Sequence, residues 1–142
     1  CRLDPYLTWA LIAKNGTVSA TTLADGDWDG DGNLPDPYVE VKGEGWSFGY
    51  TGYEDSNTLT PEWEYTIFWN FYTDDFLTPL EVTVWDKDGN ADDFMGSCPL
   101  QITEEQMTSG EDIVVQCDRN QIEDDAGWTV TLYVVPMSEY YP

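Results

Sequence analysis

Apolar and polar residues alternate along most of this chain, with the two-residue period of half-buried strands. The clearest run is Trp128-Thr129-Val130-Thr131-Leu132-Tyr133-Val134-Val135, closed by Pro136. Leu80-Glu81-Val82-Thr83-Val84-Trp85 puts Leu80, Val82 and Val84 on one face. Tyr38 to Lys42 and Trp46 to Tyr50 alternate in the same way, and residues 9–20 read as a strand interrupted at Asn15-Gly16. From Trp63 to Phe71 both faces are partly apolar, which predicts a central strand. Phe94 to Ile102 and Ile113-Val114-Val115 complete the set. Seven or eight strands at this spacing predict an all-β, antiparallel sandwich. One short helix is expected where Thr103 stands three residues before Gln106, a capping pattern, and Ser109-Gly110 ends it. The domain reading is an N-terminal arm at 1–8, a sandwich at 9–136 and a C-terminal tail at 137–142, with no internal repeat.

Two connections break the alternation with dense carboxylates. One is Asp86-Lys87-Asp88-Gly89-Asn90-Ala91-Asp92-Asp93, directly after the strand ending at Trp85. The other runs from Asp25 to Asp36 and contains Asp27, Asp29 and Asp31, just before the strand that opens at Pro37. Carboxylates packed this closely repel one another, and a hard cation relieves that repulsion. Ca²⁺ takes six to eight oxygens from a loop flexible enough to wrap it, whereas Mg²⁺ wants near-ideal octahedral geometry and keeps several waters. Two such loops at strand ends can converge on one cluster; the alternative is a pair of solvated acidic turns. Asp27, Asp29 and Asp31, with Gly32 at the sixth position, copy the opening of an EF-hand loop. The twelfth position is Tyr38 rather than Glu and no helices flank the loop, which favours a second ion held within it over an EF-hand.

Composition narrows the partners. The chain of 142 residues holds 28 Asp and Glu against five Lys and Arg, a formal charge of −23. Nucleic acid is excluded, because binding it needs clustered cations. Direct attraction to anionic lipid is disfavoured for the same reason. Bound calcium would relieve the self-repulsion that such a charge imposes on a compact state; the alternative is acidity that serves solubility. With no His in the chain, the commonest catalytic base and the usual Zn²⁺ ligand are missing. No glycine-rich phosphate loop is present either, so the expectation is a noncatalytic protein.

Three cysteines point to a compartment. Cys98 and Cys117 flank what reads as one excursion between strands and can pair as a disulfide, leaving Cys1 the odd one out. Two buried free thiols are the alternative. A sequence beginning at Cys resembles a processed bacterial lipoprotein lipidated on Cys1; the alternative is an arbitrary boundary. Both readings favour an extracellular or cell-surface location. Asn15-Gly16-Thr17 matches a glycosylation sequon.

Four pieces of the sequence, in order, resemble the C2 domain, a calcium- and phospholipid-binding β-sandwich. They are Asp36-Pro37-Tyr38-Val39-Glu40-Val41, Thr58-Leu59-Thr60-Pro61-Glu62-Trp63, Leu80 through Asp88, and Asp93-Phe94-Met95-Gly96. The resemblance covers about residues 9–135 and implies an eight-stranded Greek-key sandwich. It also implies calcium ligands from two loops at one end: Asp36 from the first, and Asp86, Asp88 and Asp93 from the second. The family's spacing there is one residue longer, so Asp92 can share or take the role of Asp93. The Lys87 carbonyl is a further candidate. The family's first aspartate falls on Asp29, with Asp27 and Asp31 beside it. In C2 domains apolar loop tips can enter a bilayer once calcium has neutralised the carboxylates; Trp28 and Leu34 are the apolar residues here, and Trp28 packing on its own loop is the alternative. The family's lysine-rich headgroup patch is absent, Lys42 standing alone, which argues against phosphoinositide recognition. The reading is a calcium-stabilised module that mediates adhesion or contact with other surface proteins. Its rivals are a structural subunit that assembles with copies of itself into an extracellular polymer, and a reversible, calcium-dependent phospholipid binder.

Overall fold

A computed structural model of the chain describes residues 4, 6–18, 36–43, 46–50, 58–87, 93–117 and 128–140. Among these residues, eight strands form two four-stranded sheets. The strands are β1 (Thr8–Val18), β2 (Pro37–Gly43), β3 (Trp46–Tyr50), β4 (Glu62–Tyr72), β5 (Leu80–Asp86), β6 (Asp93–Leu100), β7 (Ile113–Cys117) and β8 (Trp128–Pro136). One sheet has the order β4-β1-β8-β7 and the other β3-β2-β5-β6. Every pairing is antiparallel.

The alternation seen in the sequence is the burial pattern of the sandwich. Leu80, Val82 and Val84 face Val39 and Val41 of the same sheet and Leu11, Val130, Leu132 and Val134 of the other within one apolar core. β1 is buried almost throughout, as a strand flanked on both sides should be. The expected break at Asn15-Gly16 is a register shift between Ala13 and Asn15. Gly16 is required there by close approach. A Cβ on it would run into the carbonyl oxygen of Thr129 and come 3.3 Å from the ring of Trp63. Asn15 of the sequon therefore sits within a strand rather than on a loop.

β4 is not central, and this corrects the reading from its two apolar faces. It lies at the edge of its sheet, beside β1. Trp69 and Tyr72 are about half exposed. Two-faced apolarity cannot distinguish a covered strand from one that carries aromatics into solvent. Glu64 and Asn70 hold positive φ values of 44° and 65°, and the β1–β4 ladder shifts register three times. Bulges of this kind blunt an edge that would otherwise template a further strand.

The expected helix is α2 (Glu104–Ser109). Thr103 accepts the N–H of Gln106 at 3.1 Å, the Gln106 side chain accepts the N–H of Thr103 at 3.0 Å, and Gly110 closes the helix in the left-handed region. Two further short helices were not expected: α1 (Thr73–Leu77) in the connection after β4, and α3 (Met137–Tyr140) in the tail. Cys98 and Cys117 are disulfide-bonded, with their Cα atoms 5.7 Å apart. Because β6 and β7 are edge strands of different sheets, the bond fastens one side of the sandwich. Of the N-terminal arm, Asp4 and Leu7 lend their carbonyls to the Thr73 hydroxyl, at 2.8 and 3.4 Å, and Trp9 donates its indole N–H to the same hydroxyl at 2.8 Å.

Candidate metal centre

Antiparallel pairing decides which aspartates meet. β2 opens at Pro37 and β5 closes at Asp86, and the two residues are partners in the ladder. Asp36 is therefore delivered to the strand end where Asp86 and Lys87 emerge. The Asp36 amide donates to Oδ1 of Asp86 at 2.8 Å, and the Lys87 amide donates to the Asp36 carbonyl at 3.0 Å. On the other side of β5, Asp86 is the ladder partner of Asp93 in β6. Three of the predicted ligands, distant in sequence, thus occupy adjacent positions at one end of one sheet.

Asp86 is wholly buried, while Asp36 is half-buried. Removing a carboxylate from water is costly unless donors or a cation compensate it, and the Asp36 amide supplies one such donor. Among the described cations, Lys14 pairs with Asp112 at 3.1 Å and Lys42 with Glu81 at 3.2 Å, so only Lys87 is next to the aspartates in sequence. The candidate donors described here are the carboxylates of Asp36 and Asp86. Hard oxygens suit Ca²⁺.

The remaining predicted ligands, Asp27, Asp29, Asp31, Asp88 and Asp92, lie outside the described residues, as do Trp28, Leu34 and Cys1. Among the described residues no group of three or more His, Cys, Asp or Glu side chains converges as a metal cluster. The described part is thus the Asp36 main chain bonded to the buried Asp86 carboxylate, with the Asp93 backbone beside it.

One residue at this end is marked in the sequence by the motif Thr58 to Trp63 but not as part of a site. Trp63, at the start of β4 in the opposite sheet, is 1% exposed and donates its indole N–H to the Pro37 carbonyl at 3.1 Å. Local periodicity marks Trp63 only as a core aromatic, because its partner is 26 residues away. Deeper in the sheet, Trp85 donates to a carboxylate oxygen of Glu40 at 3.0 Å, which accounts for a nearly buried glutamate on β2.

A model of the C2 domain family matches residues 4–117. Among solved structures, a single C2 domain of plant extended synaptotagmin 1 superposes with a TM-score of 0.63 at 18% identity, over 94% of this chain and 96% of that one. A calcium-bound structure of two C2 domains of extended synaptotagmin 2 gives a TM-score of 0.60 at 15% identity, over 94% of this chain and 46% of that one. A human GIVD cytosolic phospholipase A2 complex gives 0.61 at 14% identity, over 92% of this chain but 17% of that one. No curated protein matches the chain by sequence.

Proposed function

We propose, from the premise that this chain belongs to the C2 domain family, that it is a noncatalytic calcium-binding module. Ca²⁺ would be held by Asp36 and Asp86, with Asp88, Asp93 or Asp92, and Asp29 completing the shell and Asp27 and Asp31 available to a second ion. The observation that carries this reading is the cradle: a ladder that sets Asp36 against a buried Asp86 and fixes both through the amide of Asp36. When bound, the ion would neutralise carboxylates that otherwise repel in a chain of formal charge −23. Asp36 and Asp86 would orient it, and the burial of Asp86 excludes water from that side.

Calcium filling this end would fix the two acidic loops into one surface through which the module adheres to another surface protein. A location outside the cytoplasm supports constant occupancy, and the Cys98–Cys117 disulfide fits such a compartment. An ion that binds only the folded state stabilises it by about 2.7 kcal/mol at a hundred times its Kd.

Thermal unfolding in calcium, in magnesium and in chelator tests the proposal. The expected result is a rise of roughly 9 °C selective for calcium, taking about 0.3 kcal/mol per degree for a chain of this length. Asp86→Asn should abolish it, since asparagine keeps an acceptor for the Asp36 amide and loses the charge. Equal curves in calcium and chelator would refute it. Sedimentation with neutral vesicles in the same buffers separates protein adhesion from calcium-dependent lipid binding.

A further inference from the structure

The metal cradle belongs to one sheet, but one of the bonds that fix it comes from the other. Asp36 immediately precedes β2 and Asp86 closes β5, whereas Trp63 stands on β4 across the sandwich. Proline has no N–H, so the carbonyl is the single backbone hydrogen-bonding group of Pro37, and the Trp63 indole donates to it at 3.1 Å. The indole is fixed in turn. It is buried and packs against Gly16, where the absent Cβ leaves room for the ring, and Gly16 is tied to the chain just before β4 by its amide, which donates to the Pro61 carbonyl at 3.0 Å. The main chain around Asp36 is therefore held at three successive points. Its N–H is held by Asp86, its carbonyl by Lys87 and the following carbonyl by Trp63. With these peptide planes fixed, the Cα–Cβ bond of Asp36 leaves the backbone in one direction, which narrows where its carboxylate can reach.

We infer that Trp63 is a positioning residue for the metal site: its indole N–H aims Asp36 and so couples the packing of the two sheets to calcium affinity. The inference rests on the calcium reading above. Groups behind the ligands commonly set metal affinity by orienting them, and a preorganised ligand loses less freedom on binding. Linkage makes the coupling reciprocal, so calcium must also tighten the Trp63–Pro37 bond.

Trp63→Phe keeps an aromatic ring in the core and removes the N–H. Calorimetric titration with calcium, well below the melting temperature, should show the variant binding roughly fivefold more weakly, the net worth of one hydrogen bond. Val134→Ala is the control, since Val134 is fully buried at the far end of β8. It should lower the melting temperature in chelator and leave calcium affinity at the wild-type value. A Trp63→Phe affinity equal to wild type overturns the inference and leaves the calcium reading standing, whereas wild-type protein that takes up no calcium overturns both. Should Trp63→Phe fail to fold, the wild-type indole resonance decides. Its N–H must exchange with solvent more slowly in calcium than in chelator, and an unchanged rate overturns the coupling.

Discussion

Breaking the disulfide between Cys98 and Cys117 should cost this domain a large part of its stability without changing its fold. The two residues are 19 apart in sequence, and closing a loop of that length removes about 3 kcal/mol of chain entropy from the unfolded state at 25 °C. For 142 residues the unfolding entropy is about 0.3 kcal/mol per degree, so the melting temperature should fall by about 10 °C. Both half-cystines are buried, and the Cys98→Ala, Cys117→Ala double variant therefore also loses core contacts. Protein reduced in denaturant, refolded with the thiols kept reduced and melted in chelator isolates the loop effect from cavity formation and from any metal. The double variant should melt at the same temperature as the reduced protein or lower. Reduced protein melting within about 3 °C of the oxidised form would refute the argument. It would mean that the segment spanning α2 stays ordered in the unfolded chain, leaving the bond little entropy to remove.

Other perturbations separate the backbone, arm and surface contributions. Gly16→Ala drives a methyl group into the Thr129 carbonyl and should destabilise by about 2–3 kcal/mol, readable as a shifted urea midpoint with an unchanged slope. Thr73→Val removes the hydroxyl that joins the Trp9 indole to the Asp4 carbonyl; it should cost about 1–3 kcal/mol and make limited proteolysis before Thr8 faster. Lys14→Ala breaks an exposed ion pair with Asp112 and should change stability by under about 1 kcal/mol, an effect that high salt removes.

What was legible in the sequence was whatever a local rule governs. β5 and β8 follow from strict alternation, because each has one face in the core. α2 follows from Thr103 and Gln106, whose reciprocal bonds span three residues. α1 escaped notice because Tyr72 stands where a helix usually has Ser, Thr, Asp or Asn; there the Asp75 carboxylate accepts the Tyr72 amide at 3.0 Å. The position of β4 at an edge depends on which strands β1 takes as its neighbours, a decision made across the whole chain. The cradle was legible in part. Asp36, Asp86 and Asp93 were marked by the resemblance to C2 domains, and antiparallel register sets their backbones side by side at one end of the sheet. Trp63 was marked only as the end of the motif Thr58 to Trp63, since an indole aimed at a carbonyl in another sheet leaves no trace in either segment's periodicity.

The course of the outer strands also gives the module a polarity. β1 begins and β8 finishes at the same pole, where Trp9 is the ladder partner of Pro136 and Asp4 is bonded to α1. Asp36 and Asp86 stand at the other pole, at the opening of β2 and the close of β5. Any tether joined before Asp4 or after Tyr140 starts from the blunt pole. Pulling on both ends would peel β1 from β8 one hydrogen bond after another, as a zipper opens, while pulling β8 from the blunt pole against a hold at the aspartate pole would shear the β1–β8 ladder along its length. In the second direction many ladder bonds share the load, so this module should resist force far better when pulled from pole to pole than when pulled between its two ends.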